Sequence, residues 1–426
     1  MRDVAEDSPR AVPTRHRRRA AFGFIFATAV MNAVSFGIMI PILPNLIKQF
    51  VGGDTAAASE WNVLFATTWG LAQFFCGPLL GMLSDRFGRR PVLLISLFGL
   101  FVDFLFMAFA PTLMWLFVGR VLNGITASSF STANAYVADI TAPERRARRF
   151  GMIGAAFSFG FLIGPALGGL AGEHDLRLPF KIAAALTAVN WVYGLLILPE
   201  SLASERRAAA MQWRRANPLG ALLFLKAHGE VLALATINFL YQLAQVVLPT
   251  IFVLYTGYRY GWTPQIMGFT MMATGVAGVV VQMLLVGPVV GRIGERGAVL
   301  LGASAGIAGF INYALAPNGA VYLAAVPVFA GMGFLGPGLM GLMSRRVEPG
   351  RQGQLQGANQ SLQGVASVIG PPLFGLTFAW AVRHDARLHL PGLPILISAG
   401  LLTLALALAL ALRAARAPIA AISTAT

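Results

Sequence analysis

Long apolar runs separated by short polar links make up nearly all of the chain. A helix that crosses a bilayer needs about 20 mostly apolar residues, at a rise of about 1.5 Å per residue. Twelve runs meet this requirement: 20–46, 61–82, 91–110, 112–138, 149–172, 179–198, 230–255, 265–290, 297–315, 320–343, 353–380 and 391–413. The pattern therefore predicts an all-α membrane protein with twelve transmembrane helices.

The basic link 199–229 is the longest, and it separates six runs from six. We expect a basic tail (1–19), a six-helix bundle (20–198), a linker (199–229), a second six-helix bundle (230–413) and a tail (414–426). An internal repeat supports this division, because several residues recur as the same residue type 206 positions later in the chain. The first-half residues are Gly81, Arg86, Gly88, Arg90 and Gly164-Pro165, and their second-half counterparts are Gly287, Arg292, Gly294, Arg296 and Gly370-Pro371. Parallel repeats of this kind predict two pseudo-symmetric bundles, with a substrate site between them near the midplane.

The composition supports a membrane protein, because 12% of the residues are charged, against about 25% in soluble proteins. Of the 32 lysines and arginines, 25 fall on the side of the two termini and six on the opposite side. The positive-inside rule then places both termini in the cytoplasm. This asymmetry explains the net charge of +15 without a nucleic-acid partner. The single cysteine, Cys76, excludes an intrachain disulfide, and we interpret it as a small packed residue.

The sequence contains no phosphate-binding loop, no dinucleotide fingerprint and no nucleophile–base arrangement. The five histidines show no metal-ligand spacing. We therefore expect a protein that is not an enzyme, that has no cofactor or metal site, and that takes its energy from an ion gradient.

Two charged residues lie well inside the predicted spans, Asp103 in the third and Arg120 in the fourth. The two spans run in opposite directions, and counting along them places both residues at the same depth. Charges at this depth are costly, so a functional role is the default interpretation. Burial favours the neutral carboxyl and a nearby cation favours the ionised one, so Asp103 is a candidate proton carrier. The alternatives are a static ion pair for Asp103 and a hydrogen-bond organiser for Arg120. We expect both to lie in a water-accessible cleft between the bundles.

The loop GMLSDRFGRR, residues 81–90, is the candidate gate on the cytoplasmic side. Its motif residues are Gly81, Asp85, Arg86, Gly88, Arg89 and Arg90. The Asp85 carboxylate is expected to meet a helix N-terminus or an arginine and so to hold the two halves together. Topology anchoring by the arginines is the alternative. Asp139, at the end of the fourth span, joins this network or makes a plain helix-end contact.

The fifth span carries small residues and a proline, in a pattern typical of close packing with a kink: Gly160, Gly164, Pro165, Gly168 and Gly169. A hinge and generic packing are both compatible with it. Candidate substrate-binding residues are the polar and aromatic positions inside spans: Asn32, Gln73, Asn123, Tyr241, Gln242, Gln245, Gln282, Asn312, Gln360 and Gln363. Hydrogen bonds between helices are the alternative at each. The set suits an amphiphilic organic ligand better than a phosphate, which would need more arginines.

GMLSDRFGRR resembles the loop 2–3 signature of the major facilitator superfamily. Within it, GFLIGPALGG (160–169) and Arg120 resemble the helix-5 motif and helix-4 arginine of proton-coupled drug antiporters. Nearly the whole chain resembles the bacterial tetracycline/proton antiporter family, through IMIPILP (38–44), LSDRFGRRPVLLISL (83–97), GRVLNGIT (119–126), FGMIGAAFSFGFLIGPALGG (150–169) and GERGAVLLG (294–302). Asp103 matches the family's helix-3 acid, but Asn32 and Gly306 stand where the family carries acids in helices 1 and 9.

The resemblance implies a monomeric drug-efflux antiporter of the bacterial inner membrane. It would export an amphiphilic organic compound, tetracycline-like drugs included, in exchange for protons by alternating access, with magnesium present only in a substrate chelate. The missing acids leave open a uniporter or proton-coupled importer of a neutral metabolite. A non-transporting receptor or lipid-handling protein is the third hypothesis.

Overall fold

The computed structural model describes residues 15–127, 129–203, 205, 207, 229–348 and 352–414. Within these residues the regular structure is helical. Most of the two predicted tails and most of the predicted linker lie outside the described residues, so those boundaries stay predictions.

The first half contains six membrane-spanning helices. Helix α1 consists of Arg15–Met39 and, after a turn, Leu43–Phe50; α2 is Thr55–Phe87, α3 is Arg89–Phe109, α4 consists of Leu113–Thr126 and Ser129–Ile140, α5 is Pro143–Gly172, and α6 is Leu178–Ile197. Pro41 and Pro44 fall at the turn within α1, and Pro44 lies in the first turn of the second piece, where its missing N–H costs nothing.

The second half contains six more. Helix α7 consists of Gly229–Gln245 and Val247–Tyr260, and α8 begins with Pro264–Val280 and continues through a π-helical turn, Val281–Leu285. The helical segment Val286–Leu315 then contains the end of α8 and all of α9. Helix α10 consists of Gly319–Ala324, Val326–Ala330, a 3₁₀ turn at Gly331–Phe334 and Leu335–Ser344. Helix α11 consists of Gln352–Pro371, a π-helical turn at Pro372–Leu376 and Thr377–Arg383. A short helix, Asp385–Leu388, precedes α12, which is Leu393–Ala414.

The described residues contain eleven segments that are long and apolar enough to cross a membrane. The longest, Pro264–Leu315, has 52 residues. As one straight helix it would measure about 78 Å, more than twice the thickness of the hydrocarbon core. It is broken at Gly294, whose φ of 72° is a left-handed conformation that glycine adopts without strain. The segment therefore makes two crossings, α8 and α9, and the predicted total of twelve is confirmed.

Two predicted elements differ from the structure. The span predicted at 320–343 is not one continuous helix, because Pro327 and the glycines of the 3₁₀ turn interrupt the α-helical hydrogen bonds of α10. Helix α2 extends well beyond the predicted 61–82 at both ends, since Asp54 caps its N-terminus and polar residues continue it to Phe87.

The two halves meet along two helix pairs, α2 against α11 and α5 against α8. Under the internal repeat, α2 corresponds to α8 and α5 to α11, so the two contacts are equivalent. Helices α3, α6, α9 and α12 pack behind these contact helices within their own halves. The expected arrangement of two pseudo-symmetric six-helix bundles is confirmed.

We call the side of the membrane that carries residues 81–90 the motif side, and the opposite side the far side. Contacts between the halves are concentrated towards the far side. The Arg383 guanidinium forms an ion pair of 2.6 Å with Glu60, and the Ser59 hydroxyl donates to the Gly375 carbonyl at 2.8 Å. In the other pair of helices, Gly268 of α8 lies directly against the backbone of Pro165 of α5.

Towards the motif side the contact helices diverge. A Cβ built on Gly77 or Gly81 of α2, or on Gly151 or Gly154 of α5, would meet no atom within 4 Å. Glycines of α8 on the motif side, Gly278 and Gly287, are equally unobstructed. We interpret the space between the halves as closed at the far side and open at the motif side.

Candidate functional site

The two intramembrane charges form an ion pair. Asp103 of α3 and Arg120 of α4 lie 2.9 Å apart, from Oδ2 to the guanidinium nitrogen. Asp103 is 0% exposed and Arg120 is 5% exposed. The prediction that both lie at the same depth is confirmed, whereas the roles assigned to them stay predictions.

The expectation that this pair lies in a water-accessible cleft between the bundles is wrong for this conformation. Helix α3 packs against α4 and α6 inside the first half, so α1 and α2 stand between the pair and the second half. Met39 of α1 and Trp69 of α2 both contact the Arg120 guanidinium. The pair is sealed behind these two side chains.

Helix α4 makes room for the Asp103 carboxylate by placing a glycine beside it. A Cβ on Gly119 would lie 3.1 Å from Oδ1 of Asp103 and closer still to Phe106. Oδ1 is buried and has no hydrogen-bond partner among the described residues. A buried oxygen without a partner is costly, and it is free to carry a proton or to accept a hydrogen bond from one.

In the loop motif, Arg89 is the central cation. Its guanidinium donates to Asp85 at 2.5 Å and to Asp139 at 3.1 Å, and also to the Ser84 hydroxyl. Asp139 thus belongs to the same network as the loop motif, which was one of the two interpretations offered for it; the other was a plain helix-end contact. Arg90 instead donates to the carbonyl of Leu195 in α6.

Sequence reasoning missed Glu200, which completes this network. Its carboxylate accepts hydrogen bonds from the backbone N–H groups of Arg89 and Arg90, the first residues of α3, at 2.8 and 3.2 Å. It also accepts from the N–H groups of Ser201 and Leu202. A carboxylate at a helix N-terminus is favoured by the unpaired N–H groups and the helix dipole. The only sequence signal for it was an acid directly after the sixth span.

Glu200 also explains one glycine of the motif. Gly88 has a φ of 109°, which strains any other residue, and a Cβ there would collide with the Glu200 carboxylate. In contrast, a Cβ on Gly81 would meet nothing.

The described contacts of Asp85, Arg89 and Arg90 lie within the first half. This is consistent with the opening at the motif side, because the second half is withdrawn from the loop. The predicted contact that holds the halves together here belongs to a conformation closed at the motif side, and it stays a prediction. Arg86 lies over the ring of its neighbour Phe87.

The small residues of α5 bring three helices into close contact. Gly160, Gly164 and Gly168 lie against the backbone of α1 around Ala33, Gly37 and Ile38. Gly169 and the Pro165 carbonyl lie against α8. The structure confirms the close packing, and a hinge at Pro165 stays a prediction.

The candidate lining residues differ in their surroundings. Gln73, Gln282, Gln360 and Gln363 are exposed; Asn32, Gln242, Gln245 and Asn312 are intermediate; Asn123 and Tyr241 are buried. Asn123 accepts a hydrogen bond of 2.7 Å from the Trp69 indole, so the interhelical interpretation fits it. The Oδ1 atoms of Asn32 and Asn312 are buried without partners among the described residues. Cys76 is half-buried.

The two departures from the antiporter pattern have different structural settings. Gly306 of α9 is enclosed, because a Cβ there would collide with Leu402 and lie 2.9 Å from Met332. This space is filled by apolar side chains and has no room for a carboxylate. Asn32 of α1 is half-buried and could be replaced by an acid of the same size.

Comparisons with known proteins agree with this architecture. A family model of the Major Facilitator Superfamily matches residues 25–371. The chain is 37% identical to the class C tetracycline resistance protein of Escherichia coli, over 83% of this chain and 89% of that protein. It is 34% identical to the class B tetracycline resistance protein of Escherichia coli, over 82% and 86%.

Among solved structures, a bacterial homologue of the human lysosomal transporter Spinster superposes with a TM-score of 0.74 at 16% identity. The match covers 94% of this chain and 98% of that protein. A multi-pass transporter of small molecules, rather than an enzyme or a non-transporting receptor, accounts for all these findings. The chain belongs to the major facilitator superfamily of membrane transporters.

Proposed function

We propose that the protein exports an amphiphilic organic compound across a bacterial inner membrane in exchange for protons. The observation that carries the proposal is the ion pair between Asp103 and Arg120, buried inside a two-bundle transporter. A charged pair at this depth is retained against a substantial desolvation cost, which favours a functional role. The relatives named for tetracycline resistance support a drug as the substrate.

The transport mechanism is a rocking motion of the two halves. The motif side carries the excess of lysine and arginine, so we assign it to the cytoplasm and interpret this conformation as open inwards. Opening outwards requires loss of the far-side contacts, among them the Glu60–Arg383 ion pair and the Ser59–Gly375 hydrogen bond. The loop motif, fixed on α3 by Glu200, would then meet the second half.

Protons and substrate compete through Asp103. While Arg120 stays paired with Asp103, the carboxylate is held in its charged form, because an opposite charge nearby favours ionisation. When Arg120 withdraws, the buried carboxyl takes up a proton, since desolvation favours the neutral form. Each rocking motion would thus exchange one bound species for the other, and the sealed position of the pair prevents protons from leaking between exchanges.

The test uses proteoliposomes with an imposed pH gradient and tetracycline with Mg²⁺ as the probe. We expect the wild-type protein to accumulate the probe when the lumen is acidic, and Asp103→Asn to lose this accumulation. Exchange of labelled for unlabelled probe, which needs no proton, should persist in Asp103→Asn. Full gradient-driven accumulation by Asp103→Asn would contradict the proposed role.

One observation favours a second candidate, a uniporter of a neutral compound. Asp103 has no exposure, and the two other acids of the antiporter pattern are replaced by Asn32 and the enclosed Gly306. In a uniporter the Asp103–Arg120 pair would only lock α3 to α4. The same proteoliposomes distinguish the two, because uniport equilibrates the probe and does not respond to the pH gradient.

A further inference from the structure

Trp69 of α2 is, with Met39 of α1, one of the two side chains that separate the Asp103–Arg120 pair from the space between the halves. The Arg120 guanidinium carbon lies 5.5 Å from the centre of the Trp69 ring, within the range of a cation–π contact. The indole Nε1–H donates to Asn123 Oδ1 at 2.7 Å, which fixes the orientation of the ring. Arg120 is thus held between a carboxylate on one side and an aromatic ring on the other.

The backbone at Trp69 is also fixed in position. A Cβ on Gly124 of α4 would lie 2.9 Å from the Ala72 side chain and 3.1 Å from the Trp69 carbonyl oxygen. Helices α2 and α4 therefore approach as closely as glycine allows at this level. The indole has little freedom except to move with its own helix.

Trp69 is the inner end of a row of four aromatic rings. Ring centres are 6.1 Å apart from Trp69 to Phe36, 5.8 Å from Phe36 to Phe161 and 5.4 Å from Phe161 to Phe157. These are ordinary distances for aromatic pairs. We call Trp69, Phe36, Phe161 and Phe157 the ring row; it connects α2, α1 and α5.

The ring row follows the side of the first half that meets the second half. On α2, Asn62 lies two turns before Trp69 on the same face, and its amide donates to the Thr250 carbonyl of α7 at 2.9 Å. On α5, Phe161 lies one turn before Pro165, whose carbonyl lies against Gly268 of α8. Phe157 is 37% exposed. A ligand between the halves would thus meet exposed ring surface whose inner end contacts Arg120.

We propose that Trp69 is the positioning residue that couples ligand binding to the charge state of Asp103, and that the ring row binds flat, polycyclic compounds. The inference rests on the proposed function. A ligand stacked on the ring row holds α2, and the indole with it, against Arg120 and so keeps the guanidinium against Asp103. When the ligand leaves, α2 moves away with the indole and Arg120 withdraws.

The proton balance follows from this arrangement. Before ligand binding, Asp103 is a neutral carboxyl group with its proton on one oxygen. While α2 is displaced, water from the space between the halves reaches Asp103. As α2 and Arg120 return, the O–H bond breaks, the proton passes to this water, which leaves before the indole closes, and a guanidinium N–H takes the place of the proton at Oδ2. One proton leaves for each ligand bound, and the reverse occurs when the ligand is released.

The experiment measures proton release by the purified full-length protein in weakly buffered detergent solution with a pH dye, at saturating tetracycline with Mg²⁺ and, separately, at saturating ethidium. Trp69→Leu removes the ring and keeps most of the volume, whereas Trp69→Phe keeps a ring over Arg120. We expect release by Trp69→Leu to fall at least tenfold, and Trp69→Phe to retain at least half. The control is Trp115→Phe, at a tryptophan of α4 that is 49% exposed and stacks on Phe106.

Phe36→Leu provides a second test that leaves Trp69 and its contacts with Arg120 and Asn123 in place. It interrupts the ring row between Trp69 and Phe161, so proton release should again fall severalfold. Binding of the two probes, measured by equilibrium dialysis without the pH dye, should persist. If both Leu variants bind the probes and release protons as the control does, the role of Trp69 is wrong. If the wild-type protein binds a probe without releasing protons, the proposed antiport itself fails, and the coupling role fails with it.

Discussion

Replacement of Glu200 by Ala should destabilise the protein more than any other single loss of a surface carboxylate in the first half. Glu200 accepts four backbone N–H groups, those of Arg89, Arg90, Ser201 and Leu202, at 2.8 to 3.2 Å. A hydrogen bond to a charged group contributes about 1.5–3 kcal/mol, and a lost helix cap costs about 0.5–2 kcal/mol. Because the four bonds share one carboxylate and water replaces some of them, we expect about 2–4 kcal/mol in total.

Glu200→Gln should cost less than Glu200→Ala. The amide oxygen can still accept from Arg89, Ser201 and Leu202, but its NH₂ group then faces the N–H of Arg90 and cannot accept a hydrogen bond. We expect about 1–2 kcal/mol, the loss of one charge-assisted bond and the charge. The free energy of unfolding should therefore be lowest for Glu200→Ala, intermediate for Glu200→Gln and highest for the wild type. This order distinguishes a capping role from a purely electrostatic one.

The assay is denaturant unfolding of the detergent-solubilised protein, followed by circular dichroism. The control is Asp175→Asn on the far side, where an exposed carboxylate in the α5–α6 link pairs with Lys181; exposed pairs of this kind contribute about 0–1 kcal/mol. If Glu200→Ala unfolds at the same midpoint as Asp175→Asn, the structural account of the loop motif is wrong.

Three further outcomes follow from the packing and the charges. Gly88→Ala should destabilise the protein by about 2–4 kcal/mol, since it adds backbone strain at a positive φ to a collision with Glu200. The double variant with Glu200→Ala should lose less stability than the two single variants together, because it removes the collision. The same unfolding assay measures both. Gly306→Asp should not restore an antiporter acid but should destabilise the protein by about 1–3 kcal/mol or more, because Leu402 and Met332 fill its site. Gly306→Val should destabilise it as well, whereas Gly400→Val, at an unobstructed glycine of α12, should not. Gly164→Val should separate α1 from α5 and lower the yield of folded protein in size-exclusion chromatography, whereas Gly154→Val should not.

The sequence predicted the architecture well because a bilayer imposes simple requirements. Apolar length determined the spans, and the positions of Asp103 and Arg120 along two antiparallel helices were enough to predict that they lie at the same depth. The 206-residue offset predicted the two halves, and Gly294, one of the repeated positions, is the residue at which α8 ends and α9 begins.

The parts that sequence reasoning missed depend on contacts between distant segments. Nothing in the pattern around Asp103 shows that α1 and α2 cover it, since that depends on which helices are central and which are peripheral. Glu200 and Trp69 act through partners 111 and 54 residues away, so no local spacing reveals them. Polarity alone also placed Asn123 among ligand contacts, although its oxygen is already occupied by the Trp69 indole.

The most direct test of proton exchange at Asp103 is to drive protons with substrate. Proteoliposomes are loaded with tetracycline and Mg²⁺, diluted into probe-free buffer without a pH gradient, and the luminal pH is recorded with a trapped dye. The account predicts that the lumen acidifies as the compound leaves through the wild-type protein, and that it does not when the liposomes contain Asp103→Asn. Efflux without any pH change from the wild-type protein, or the same acidification with Asp103→Asn, would contradict it.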